Sequence, residues 1–169
     1  SNSLFNYLFT IFCIAILING SNFIDGLNGL LIGYIILVLV SLLFVTANFS
    51  GLSLIDKEFI IILLFSLLIL FFMNLRGFVF LGDSGSYLLS FYLGIYLIIF
   101  FMNNQFVSPY YIAAILWYPS FENFFSFLRR INSKKSVSSA DNRHLHQLLY
   151  AYISNSKRFN SYSKYPNSY

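Results

Sequence analysis

Five long apolar runs limit the folds open to this sequence more than any other feature. They cover Leu4–Ile18, Leu27–Ala47, Phe59–Met73, Ser86–Met102 and Phe106–Leu128. Flanking Gly, Ser, Asn and Tyr residues extend the shorter runs toward the roughly 20 residues that a bilayer-spanning helix needs. Only 9% of the residues are charged, and backbone in lipid must satisfy its own hydrogen bonds. The sequence therefore predicts an all-α, polytopic membrane protein with about five transmembrane helices.

The distribution of Lys and Arg predicts how these helices are oriented. With five spans, one side of the membrane carries loops 19–29, 74–85 and 129–169, and the other carries loops 48–58 and 103–105. Nine of the ten Lys and Arg residues lie on the first side, and only Lys57 lies on the second. Cytoplasmic loops are enriched in Lys and Arg. We therefore expect a multi-pass protein of the inner (plasma) membrane, with the first set of loops and the C-terminus in the cytoplasm.

Polar segments subdivide the chain. We predict a membrane helical domain over residues 1–128 with cytoplasmic loops 19–29 and 74–85, a cytoplasmic basic and histidine loop over 129–150, and a polar tail over 151–169. Strings rich in Asn, Asp, Gly and His lie in all three cytoplasmic regions; they are Asn19–Gly29, Asn74–Ser86 and Asp141–His146. Because they meet at one membrane surface, the sequence predicts a single shared site with active-site loops.

The first string carries polar side chains at a spacing of three residues. Asn22, Asp25 and Asn28 would line one face of a helical turn, and the glycines among them allow a ligand to approach the backbone. Capping of the second span is an alternative role for Asn28. Asp25 lies between apolar residues at the membrane edge, where an acidic group is costly unless it binds something.

Within the second string, residues Leu81–Ser86 lie at the start of the fourth span. Asp83 can ligate a hard cation such as Mg²⁺, which prefers oxygen ligands and shares them with phosphates. The helix N-terminus offers unpaired N–H groups to a phosphate. Capping by Asp83 or Ser84 is the alternative. Arg76 either pairs with a phosphate or anchors the chain at the interface.

The third string contains both histidines of the chain, His144 and His146. Two residues apart, they point the same way only in an extended or loop segment, where they would bind a diphosphate or act as acid–base groups. Solvated loop histidines are the alternative. A zinc site is disfavoured, because there is no further His and Cys13 lies within an apolar run. We expect Glu122 to form an ion pair with Arg129 or Arg130, or with a residue of another loop.

Taken together, three motifs resemble those of a known family. NGSNFIDGLNGL, FLGDSGS, and YPSFENFFSFLRR followed by DNRHLHQLL are similar to the motifs of the polyprenyl-phosphate N-acetylhexosamine-1-phosphate transferases, which form glycosyltransferase family 4. The resemblance covers about residues 19–150. It implies transfer of a HexNAc-type sugar 1-phosphate from a UDP-sugar to polyprenyl (undecaprenyl) phosphate, with release of UMP. With Asn at position 28, the sequence resembles the branch of the family that initiates surface polysaccharide synthesis, such as that of O-antigen, rather than the muramoyl-pentapeptide branch.

The resemblance also assigns roles to residues. It implies dependence on Mg²⁺ (or Mn²⁺), with Asp83 as the metal ligand. The implied catalytic residues are Asp25, Asp83, His144 and His146, and the implied substrate-binding residues are Asn19, Asn22, Asn28, Arg76 and Arg143. The expected partners are a UDP-HexNAc-type sugar nucleotide, polyprenyl phosphate and the bilayer. No nucleic acid is expected, and homodimerisation is left open.

Two other interpretations remain beside the enzyme. Members of the family are longer and carry an Asp-Asp motif in an earlier loop. This sequence contains no such pair, so we expect it to be the C-terminal half of a transferase. The first alternative is an inactive or split relative that binds only lipid or a partner subunit. The second is a small transporter or channel, for which Glu122 is the one candidate charge within a predicted span.

Overall fold

The fold is built from α-helices that run the length of the chain. A computed structural model describes residues 3–49, 54–104, 106–132 and 144–155, and every regular element in these ranges is helical. The helices are α1 (Ser3–Ile24), α2 (Leu30–Phe49), α3 (Leu54–Leu75), α4 (Gly82–Asn103), α5 (Pro109–Ile115), α6 (Trp117–Asn132) and α7 (Leu145–Asn155). Four of them, α1 to α4, are long and apolar enough to cross a membrane. The prediction of an all-helical, polytopic membrane protein is confirmed.

The fifth apolar run differs from the prediction, because it forms α5 and α6 rather than one continuous helix. Pro119 has no N–H group, so the carbonyl of Ile115, four residues earlier, cannot receive its usual helical hydrogen bond. The hydroxyl of Tyr34 donates to that carbonyl instead, at 2.8 Å. A proline and a tertiary hydrogen bond together explain why the chain breaks near Leu116.

Helix α6 packs alongside α1 and runs in the same direction. The amide of Asn123 donates to the carbonyl of Ile16 at 3.3 Å. Seven residues further along both helices, the guanidinium of Arg130 lies 5.7 Å from the centre of the Phe23 ring. α6 therefore carries its side chains to the end of the bundle where α1 ends and α4 begins, which we call the motif end.

The apolar core follows α2, and the outside of the bundle is also apolar. Leu31, Leu39 and Leu42 of α2 are almost fully buried. Phe44 and Phe65, by contrast, expose 70% and 68% of their surface. Exposed apolar surface of this extent marks an interaction surface, and around helices of spanning length it is typical of contact with lipid. The motif end is therefore one end of a helical bundle that is apolar both inside and outside.

We expect Gly20→Ala to destabilise the bundle. A Cβ atom at this position would overlap the backbone carbonyl oxygen of Pro119, which cannot move without shifting α6. Overpacking of this kind costs roughly 1–3 kcal/mol, so the thermal unfolding midpoint in detergent should fall. Gly94→Ala is the control, because its Cβ would meet only movable side-chain atoms of Leu17 and Ile14. Equal midpoints for the two variants would contradict the close approach of α1 and α6.

Candidate functional site

The three polar strings meet at the motif end. Asn22, in the last turn of α1, accepts a hydrogen bond from the hydroxyl of Ser86 in α4 at 2.7 Å. Phe23, the next residue of α1, stacks on the ring of His144 with 4.8 Å between the ring centres. The first string therefore contacts the second on one side and the third on the other, although the three are far apart in the sequence.

The first string is not a loop throughout, as predicted for residues 19–29. Its first half, Asn19 to Ile24, continues α1, and only residues 25–29 form the turn into α2. The turn ends at Gly29, whose φ of +81° favours glycine. Asn22 and Phe23 consequently sit on a helix, which fixes their directions toward Ser86 and His144.

Asn74 fastens this turn to the loop that follows α3. Its side-chain oxygen accepts the backbone N–H of Gly29, and its side-chain nitrogen donates to the carbonyl of Val79 at 2.8 Å. Asn74 is only 3% exposed. It was not predicted as a site residue, although an amide in the last turn of an otherwise apolar helix was a usable signal.

Two carboxylates influence each other at the start of α4. Burial, and then the negative charge of Asp83, raise the pKa of Asp25 to about 6. Asp83 is exposed in the first turn of α4. The predicted capping alternative does not apply, because the N-cap position is Leu81 and no side chain caps it. Asp83 therefore does not serve as a side-chain cap of α4.

A metal site is not complete within this part of the chain. Across the described residues, no group of three or more His, Cys, Asp or Glu side chains is placed to hold an ion. Asp25 and Asp83 supply two carboxylates, and carboxylate oxygens are ligands that Mg²⁺ prefers. Further oxygens would have to come from a substrate, from water or from elsewhere in the protein.

Both histidines are buried around Glu122, contrary to the alternative of solvated loop residues. His144 and His146 are each 5% exposed, and Glu122 is 1% exposed. Nδ1 of His144 lies 3.1 Å from Oε2 of Glu122, and Nδ1 of His146 lies 3.7 Å from Oε1. The N–H of Leu145 donates to Oε1 at 2.9 Å. His144 precedes α7 and His146 lies in its first turn, so the predicted loop is helical from Leu145 onward.

Glu122 is ionised in this environment. Burial disfavours its charged form, but the hydrogen bonds from His144, His146 and the Leu145 N–H outweigh burial and lower the pKa of Glu122 to about 2. The prediction allowed Glu122 a partner in another loop without naming it, and the structure places the two histidines there. The signal available was an acidic residue in α6 on the same stripe as the buried residues Pro119 and Ser126.

The remaining predicted site residues lie around this centre. Asn19 is exposed on α1, and Asn28 is partly buried in the turn between α1 and α2. Arg76 is exposed in the loop after α3. Arg143 falls outside the described residues, as do most of the basic loop and residues 156–169 of the predicted tail. Residues 151–155 of that tail belong to α7.

Comparisons with known proteins identify the family. The sequence pattern of glycosyl transferase family 4 matches residues 1–101. The undecaprenyl-phosphate alpha-N-acetylglucosaminyl 1-phosphate transferase of Thermotoga maritima is 35% identical over 133 residues, which are 78% of this chain and 39% of that protein. The probable undecaprenyl-phosphate N-acetylglucosaminyl 1-phosphate transferase of Bacillus subtilis is 31% identical over 147 residues, 86% of this chain and 41% of the relative.

The chain thus spans about 40% of the length of these relatives. No solved structure matches it significantly. The family pattern covers more than half of the chain and includes the first two polar strings. The chain belongs to glycosyl transferase family 4.

Proposed function

We propose that this chain carries the substrate site of a membrane enzyme that transfers a HexNAc-type sugar 1-phosphate from a UDP-sugar to polyprenyl phosphate, releasing UMP. The observation that carries the proposal is the junction of three distant polar strings through the Asn22–Ser86 hydrogen bond and the Phe23–His144 stack. The two relatives are named as undecaprenyl-phosphate N-acetylglucosaminyl 1-phosphate transferases, the second as a probable one. The product would initiate synthesis of a surface polysaccharide or another envelope glycan.

The carboxylates of the motif end suit a divalent cation, Mg²⁺ or Mn²⁺. Asp83 is exposed, and the pKa of Asp25 is raised by burial first and by the negative charge of Asp83 second. We propose Asp83 as the metal ligand, and Asp25 as a second carboxylate close to the same cation. When bound, such an ion neutralises phosphate charge and stabilises the departing phosphate.

The other residues would bind and orient the two substrates. The first turn of α4 offers backbone N–H groups to a phosphate, and the exposed Arg76 adds positive charge. Asn19, Asn22 and Asn28 would contact the sugar nucleotide with their amide groups, and Arg143 is proposed as a further cationic contact. The polyprenyl chain would lie against the apolar outside of the helices, so its phosphate reaches the motif end from the bilayer.

The proposal is tested by an assay of UMP release. Membranes containing the complete protein in which this segment occurs would be given UDP-N-acetylglucosamine, polyprenyl phosphate and Mg²⁺. We expect UMP release that depends on both substrates and stops when the cation is chelated. Binding of polyprenyl phosphate with no UMP release from any UDP-HexNAc would instead support the alternative of a lipid-binding module.

We expect the motif end to face the cytoplasm. The nine Lys and Arg residues on that side carry this prediction. In a background in which Cys13 is replaced by Ala, a Phe78→Cys variant should resist a membrane-impermeant thiol reagent in intact cells, because Phe78 is 72% exposed on the proposed inner side. A Ser53→Cys variant should be labelled. The reverse pattern would overturn the orientation.

A further inference from the structure

Glu122 connects α6 to the two histidines at the start of α7, a contact that the stability of α6 alone does not require. Its carboxylate is buried in α6 and faces Nδ1 of both His144 and His146, at 3.1 Å and 3.7 Å. The two rings are parallel within 3°, with 5.7 Å between their centres. A single carboxylate thus orients both histidines of the chain.

The contacts decide where the ring protons lie. An ionised carboxylate only accepts hydrogen bonds, and the pKa of Glu122 is held at about 2. Nδ1 of His144, which is 3.1 Å from Oε2, must therefore donate to it. Nδ1 of His146 lies 3.7 Å from Oε1 and 3.4 Å from the hydroxyl of Tyr118, which is its hydrogen-bond partner. Nε2 of each ring is then directed away from Glu122.

Nε2 of His146 lacks that partner. It is fully buried and, among the residues that the structure describes, nothing is hydrogen-bonded to it. It faces the turn after α1, where a Cβ on Gly26 would approach it to 2.7 Å, so only a glycine at position 26 leaves room beside this nitrogen. Leaving a buried ring nitrogen unpaired costs free energy, and a polar ligand entering beside Gly26 would remove that cost.

We propose that Glu122 is a positioning residue that holds His144 protonated on Nδ1 and, together with the hydroxyl of Tyr118, orients the ring of His146, so that Nε2 of each ring contacts the diphosphate of the sugar nucleotide. This inference rests on the proposed function. A ring that carries a second proton on Nε2 donates it to a phosphate oxygen, and the nearby Glu122 anion balances the resulting positive charge. Glu122, a residue of α6 that does not contact the substrate, thereby determines how the two rings contact the phosphates.

A purely structural role for Glu122 is the competing explanation, and one substitution separates the two. Oε1 of Glu122 accepts the N–H of Leu145, the first residue of α7. Glu122→Gln keeps an oxygen for that hydrogen bond and removes the negative charge that faces the two rings. Glu58→Gln is the matched control, because Glu58 is the other glutamate of the chain and is exposed at the start of α3.

The proton placement is tested by NMR on the chain in nanodiscs, labelled with ¹⁵N-histidine. The chain has two histidines, so two ring spectra are expected, and that of His144 should show a protonated Nδ1. In Glu122→Gln the ring of His144 should change to the form protonated only on Nε2, whereas Glu58→Gln should match the unmodified chain. A bare Nδ1 on His144 in the unmodified chain would overturn the proposal without reference to any variant.

The functional part is tested in the complete protein by steady-state kinetics. Glu122→Gln should lower kcat about tenfold, within the range for residues that orient an active-site group, and change KM for the UDP-sugar much less. Glu122→Asp should recover part of the loss, because it restores the charge. Unchanged kcat in Glu122→Gln would overturn the positioning role. Absence of UMP release from the unmodified protein would contradict the proposed function instead, and the ring spectra would still decide the proton placement.

Discussion

Asp83→Asn should abolish nearly all Mg²⁺-dependent UMP release, a loss of at least about 100-fold, while the protein still folds. Asparagine has the size of aspartate but lacks the charge that a hard cation requires. The substitution should not weaken α4, because Asp83 makes no cap there and the N-cap position is Leu81. It also removes the charge that disfavours ionisation of Asp25.

The measurement is UMP release per folded molecule over a range of Mg²⁺ concentrations. Asp56→Asn is a matched control, since it removes the same charge from the predicted outer side of the membrane. Ser84→Ala is a second control that tests the start of α4 without changing charge. Near-normal turnover of Asp83→Asn at ordinary Mg²⁺ concentration would exclude Asp83 as the metal ligand.

His144→Ala should lower UMP release roughly tenfold or more, the loss expected when one active-site contact worth about 1.4 kcal/mol is removed. The substitution deletes the ring that stacks on Phe23 and makes the shortest histidine contact with Glu122. It also leaves a buried carboxylate less well paired, which costs roughly 1–3 kcal/mol of stability. Activity must therefore be scaled to the folded fraction.

The control for His144→Ala is Leu148→Ala, which alters an exposed residue of α7, the helix that follows His144, and should retain full activity. His146→Ala should show a similar loss to His144→Ala, because both rings face the same carboxylate. Activity of His144→Ala equal to that of the unmodified protein, once scaled for folding, would leave the histidine with a structural role.

The membrane fold and the motif residues were predictable from the sequence alone. A run of apolar residues long enough to cross a bilayer must form a helix, because its backbone has no other partner there. That reasoning needs only local composition, and α1 to α4 confirm it. The motifs around Asn22, Asp25 and Asp83 could also be identified from the sequence, because their chemistry depends on residue type and spacing. The family match over residues 1–101 supports them.

Which residues became partners was decided by the tertiary structure. The break of the fifth run depends on Pro119 together with a hydroxyl from Tyr34, 81 residues from Ile115 along the chain. Glu122 is hydrogen-bonded to His144, 22 residues away along the chain. A sequence shows which residues lie near a given side chain on the same helix. Burial and the approach of another segment determine which partner lowers the free energy most, because a buried charge is stable only where donors converge on it.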